Sequence, residues 1–92
     1  MAIQDTNRSG AETLALSALA WALAEESRAQ CLLDTTGLTP EQLRGGLGDP
    51  ALLGAVLRFL ESYEPDLIAC ASDIGATPTE LIAAQRILEN DQ

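Results

Sequence analysis

The chain contains no histidine and no lysine in its 92 residues. Without an imidazole there is no neutral-pH general base of the usual kind, no Ser–His or Cys–His pair, and no histidine metal ligand. Without lysine there is no Schiff base. The glycines at 45, 46 and 48 are not a phosphate loop, because no lysine follows them and no strand precedes them. Cysteine is limited to Cys31 and Cys70. Two isolated thiols do not make a zinc site, which takes about four ligands. Both read as reduced, small core residues, and a disulfide between them is a matter for coordinates. Aromatics are Trp21, Phe59 and Tyr63 alone, so a core must come from Leu, Ile, Val and Ala. Leu and Ala favour helices, and β-branched residues are few.

Positive charge is also scarce. Five arginines stand against fourteen acids, a formal net charge of −9. Residues 1–48 carry −3 and residues 49–92 carry −6. Such a surface repels phosphate backbones and anionic lipid heads, and favours solubility or a basic protein partner. The paired acids Glu25 and Glu26, and Glu61 with Glu64, lack metal-site spacing and read as a solvated face. The inventory therefore assigns no catalytic, cofactor-binding or metal residue, needs no cofactor, and points away from an enzyme.

The most apolar stretch is Leu14 to Ala24, with Ser17 its single polar residue. It is too short to span a bilayer, which takes about 20 residues. The segment before it holds Asp5 and Glu12 against Arg8 alone, not the positive start of a signal peptide. A buried helix in a cytoplasmic protein is the reading. Met1 to Arg8 is expected to be a flexible arm, followed by one helical domain over 9–92. Ser9 and Glu12 form a capping-box pattern that starts helix 1 near Gly10. Apolar on every side, it is expected to be the central, most buried helix.

One phrase occurs twice: "GLTPEQL" from Gly37 and "GATPTEL" from Gly75. In each, glycine stops one helix, threonine caps the next, proline takes its first position, and Gln42 or Glu80 completes a capping box. Leu38 and Leu43 have the spacing of a hydrophobic staple. A shift of 38 residues also aligns Leu14 with Leu52, Leu19 with Leu57, Trp21 with Phe59, and Glu26 with Glu64. The expectation is an all-α fold: five or six short helices in a compact bundle of two similar three-helix units, about 10–47 and 49–90. Helix 2 ends at Thr36, helix 3 is cut short by glycine, helix 4 follows Asp49-Pro50, helix 5 opens at Pro65, and helix 6 ends near Glu89. Inward positions are Ala29, Leu32, Leu33, Leu53, Val56, Leu57, Leu60, Leu67, Ile68, Ala71, Ile74, Leu81, Ala84 and Leu88.

The corner at Gly75 matches the packing spacing of a DNA-binding helix-turn-helix. The exposed face of its second helix would offer Thr79, Ile82, Ala83 and Arg86, with one strong phosphate donor. Nucleic acid is accordingly disfavoured, and no membrane is implied. The leading expectation is a protein–protein interaction or regulatory module, its partner another protein or a second copy of itself as a homodimer. A nucleic-acid-associated regulator built on the Gly75 corner is the alternative, and an acidic decoy for a basic nucleic-acid-binding protein is a third. Helix 1 is the candidate contact face. Phe59 reads as core, and Tyr63 as either core or an aromatic edge.

The ordered set Leu19-Ala20-Trp21, Thr36-Gly37-Leu38 with Pro40, Leu43 and Arg44, Asp49-Pro50, Val56-Leu57 with Phe59 and Leu60, and Gly75 with Pro78 resembles a family of small all-helical bacterial proteins. That family is typical of alphaproteobacteria and is described as a domain of unknown function. The resemblance covers about residues 11–90. It implies the same helical fold and brings no activity, cofactor or catalytic residue. Members carry aromatics near Leu32, Leu52 and Cys70, where this chain has none.

Overall fold

A computed structural model describes the backbone of residues 2–90 and the side chains of residues 10–89. Six α-helices follow one another: α1 (Ala2–Leu23), α2 (Glu26–Thr36), α3 (Pro40–Gly45), α4 (Pro50–Glu61), α5 (Glu64–Ile74) and α6 (Pro78–Asn90). No strand occurs among the described residues. The radius of gyration is 12.3 Å. A compact domain of this length has one of about 12 Å, so the helices share a core rather than forming a string.

The junctions follow from local chemistry. Gly37 and Gly75 close α2 and α5 with φ of 74° and 77°, in the left-handed region that an L side chain resists. The Gly37 N–H donates to the Leu33 carbonyl at 2.8 Å, and the Ala76 N–H to that of Ala71 at 2.8 Å. Thr39 then accepts from the Gln42 N–H while the Gln42 side chain accepts from the Thr39 N–H, at 3.1 and 2.9 Å. Thr77 and Glu80 make the same reciprocal pair at 3.1 and 2.9 Å. Asp49 caps α4 by accepting from the Ala51 N–H at 3.0 Å, with Pro50 at the first helical position.

The start of α1 differs from expectation. Helical backbone begins at Ala2, eight residues before Gly10, so most of the expected arm is helix; Met1 lies outside the described residues. Neither proline nor a second glycine interrupts residues 2–9. Gly10 has open space around it and weakens the helix by about 1 kcal/mol without stopping it. The Ser9–Glu12 pattern thus falls inside a helix.

The core is aliphatic. Leu53, Val56, Leu57 and Leu60 of α4, Ala15, Ala18 and Ala22 of α1, Leu32 of α2, Cys70 of α5, and Leu81 and Leu88 of α6 have no solvent exposure. Helices α1 and α4 share the centre, and α6 lies across both. The alanines on α1 let α4 and α6 approach closely. Three inward expectations need correction. Ile68 is 51% exposed, because the buried face of α5 is Leu67, Cys70 and Ala71. Cys31 is exposed, one residue off the buried line set by Leu32. Helix α1 is not covered all round: Leu16 and Leu23 are 39% and 42% exposed. Thr36 shows how a polar residue survives half-buried. Its hydroxyl donates to the Leu32 carbonyl at 2.7 Å and accepts from the Leu38 N–H at 3.3 Å.

Candidate functional site

Three places on this bundle hold polar or exposed apolar groups that the core does not need. The first is a tie between distant helices. The Trp21 indole N–H donates to the Asp73 carboxylate at 2.6 Å, joining α1 to α5. Arg28 lies over the same ring, 3.7 Å from its centroid, and reaches the Trp21 carbonyl at 3.3 Å. Arg28 also pairs with Glu25 at 3.0 Å. A cation over the ring face and an acceptor at the ring edge match the charge distribution of indole. This cluster fixes α1, α2 and α5 together.

Behind it sits the Cys70 thiol, fully buried. Burial pushes it up to about 11, and the carboxylate of Asp73 adds to the effect. The thiolate is the reactive form, so Cys70 is inert at neutral pH and Cys31, on the surface, is the accessible thiol. One thiol should label rapidly with iodoacetamide in the native chain and the second at the rate of unfolding. Mass spectrometry of the digested product checks which is which. Because the folded chain raises the Cys70 pKa, stability from this group is full below the ordinary thiol range. It falls as pH rises toward about 11.

The second place is where α4 and α6 end side by side. Arg58 and Glu89 form an ion pair there. Glu89 is held below the ordinary carboxylate range by a hydrogen bond from Gln85, then by Arg58. Gln85 is itself a buried polar residue. Glu61 is the opposite case. Burial, then the Glu89 carboxylate, raises it, against the pull of Arg58 and Arg86. Its Oε2 is removed from solvent without a hydrogen-bond partner. The expected solvated pair of Glu61 and Glu64 is not formed: α4 ends at Glu61 and Glu64 opens α5. A groove of about 670 Å³ runs beside this cluster, lined by Thr35 and Thr36 of α2, Ala51, Ala55 and Phe59 of α4, and Glu89 of α6. Phe59 is half-buried against the core, whereas Tyr63, 58% exposed, stands beyond the end of α4. The two rings therefore form no common edge.

The third place is the exposed face of α1. Leu16, Ala20 and Leu23 are spaced at i, i+4 and i+7 and point away from the buried line of Ala15, Ala18, Leu19 and Ala22. The Gly75 corner, by contrast, brings out little that could read a base. Thr79, Ala83 and Arg86 are exposed, Ile82 is packed against the core, and Glu80 is engaged by its capping hydrogen bond. Among the described residues no group of three or more Cys, Asp and Glu converges as metal ligands would. No described helix is long and apolar enough to cross a membrane.

Sequence reasoning missed the orphaned Glu61 oxygen and the Trp21–Asp73 bond. Each joins residues from different helices, and no local spacing signals such a meeting.

No curated protein and no solved structure matches the chain. A family model does match, over residues 8–91, nearly the whole chain and all six helices. The chain belongs to the family described as proteins of unknown function, DUF3572.

Proposed function

We propose that this chain is a non-catalytic, cytoplasmic protein–protein interaction or regulatory module. The observation that carries the reading is the uncovered apolar face of α1. Leu16 and Leu23 lie in solvent on a helix whose other side is core, in a chain of net charge −9. Large apolar side chains lined along one helix face, within a charged surface, are typical of surfaces that receive another helix. The residue inventory supports the same reading, since it supplies neither imidazole nor amine for catalysis. The Gly75 corner as a nucleic-acid reader draws less support. Arg86 is the one cation on α6, on a half of the chain that carries −6.

A tagged chain drawn from a lysate of its native organism at physiological salt, with and without nuclease, tests the proposal. One partner in stoichiometric amount that survives nuclease is the expected result. No partner, or recovery only while nucleic acid is present, overturns it.

A further inference from the structure

The stripe on α1 has a counterpart elsewhere in the chain, Gly54, Arg58 and Glu61 of α4; Arg58 is itself exposed, and α6 reaches all three through Glu89. Take residues 38 apart. Ala15, Ala18, Leu19 and Ala22 of α1 are buried, and so are Leu53, Val56, Leu57 and Leu60 of α4. Leu32 is buried and so is Cys70; Leu43 is buried and so is Leu81. Helices α2 and α5 begin and end 38 residues apart, and α3 and α6 begin 38 apart. The two halves thus bury the same line of positions.

They part company at several places, and α6 bears on three of them. Leu16 is 39% exposed, while Gly54 is buried. A Cβ built on Gly54 would lie 2.9 Å from Glu89 Cγ, so α6 rests directly on that spot. Leu23 is 42% exposed, while Glu61 is half-buried beside Glu89. Leu47 is 42% exposed, while Gln85 on α6 itself is buried. Helix α6 runs for 13 residues. Helix α3, which starts at the matching position, stops after 6 at Gly45 because Gly46 and Gly48 follow and α4 must begin. Three of the five exposed large apolar side chains among the described residues therefore sit where α6 is, or is covered, in the other half.

We propose that the face carrying Leu16, Ala20 and Leu23 is the docking seat for a positively charged amphipathic helix of a partner protein, laid on α1 as α6 is laid on α4. The inference rests on the interaction reading above and names its surface and partner chemistry. A helix is the occupant because the equivalent positions on α4 are met by a helix, α6, at its Glu89 turn. Leu16 replaces Gly54, so the partner needs a small residue opposite Leu16 to receive it as a knob. Positive charge follows from complementarity. Glu26 follows Leu23, exposed at the start of α2, and the chain as a whole carries −9. Arg28 is the one cation between residues 10 and 43, and it is committed to Glu25 and Trp21. A second copy of the chain would bring another −9 to this face.

The probe is a stapled peptide of the α6 sequence, residues 78–90, with Glu80 replaced by Lys and Glu89, the residue opposite Gly54, by Ala. It is titrated into the whole isotope-labelled chain and followed by amide chemical shifts. Saturable shifts at residues 16, 20 and 23 are expected. In the double variant Leu16→Glu/Leu23→Glu affinity should fall about tenfold or more. Its thermal unfolding should stay within a few degrees of the parent, since both side chains are exposed. Ile68→Glu, at another exposed apolar position, should bind as the parent does. The same peptide with its native acids should bind more weakly. Absence of saturable shifts on α1 overturns the seat, as do shifts centred on Gly54 and Glu61, which would mean displacement of α6. Concentration-dependent α1 shifts without peptide, abolished by Leu16→Glu, would give the face to a second copy and overturn the basic partner. A lysate partner that stays bound to the double variant would overturn this seat and leave the interaction reading intact.

Discussion

Leu57→Ala is expected to destabilise the chain by about 3 kcal/mol, within the range of roughly 2–5 kcal/mol for emptying a buried leucine site. Leu57 is fully buried in the middle of α4, where α1 and α6 both pack. Its loss removes transfer energy and leaves a space within the core where α1, α4 and α6 pack together. A 92-residue domain has a total stability of about 5–14 kcal/mol, so the variant loses a large share of it. Urea unfolding followed by far-UV circular dichroism measures the change. Leu16→Ala, 39% exposed, should move the midpoint by no more than about 0.5 kcal/mol equivalent. A loss at Leu16 equal to that at Leu57 would contradict the burial described for α1.

Gly75→Ala should cost about 1–2 kcal/mol, the penalty for a Cβ in the left-handed region. No atom lies within 4 Å of the added methyl, so the whole effect comes from the backbone at φ 77°. Gly37→Ala, at φ 74° and with the same open surroundings, should cost as much. Gly10→Ala reverses the sign. It lies within α1 with nothing near it, and alanine there should stabilise by about 0.5–1 kcal/mol. Thermal unfolding of the three variants checks the set. Equal and small effects at all three would contradict the turn geometry.

The junctions were readable from sequence because each is closed by groups a few residues apart. Gly37, Thr39, Pro40 and Gln42 form one such set, and their partners at 75, 77, 78 and 80 form the other. The starts of α3 and α6 followed from these, and that of α4 from Asp49-Pro50. The start of α1 did not, since the Ser9–Glu12 pattern is a cap only if the preceding residues leave the helix, and α1 continues back to Ala2. The core of α4 was legible because its apolar residues occupy one face. On α1 apolar residues lie all round, so the sequence cannot say which face a neighbour covers. That depends on where α6 lands and on how early α3 ends. Ile68 and Cys31 failed for a related reason: each neighbours a buried residue, and one step along a helix turns a side chain by about 100°. The candidate seat was visible as an apolar helix. Its limits, Leu16 to Leu23, were visible only once α6 was seen on α4.

The tie between Trp21 and Asp73 makes the chain its own spectroscopic instrument. There is a single indole in the sequence, on α1, and it is gripped by Arg28 of α2 and Asp73 of α5 at once. Its emission therefore reports on the end of the bundle remote from the N-terminus of α1. If that end opens before the rest, fluorescence will shift at lower denaturant than the helical signal does. If the two signals coincide, the six helices unfold as one cooperative body. No label need be attached to learn which.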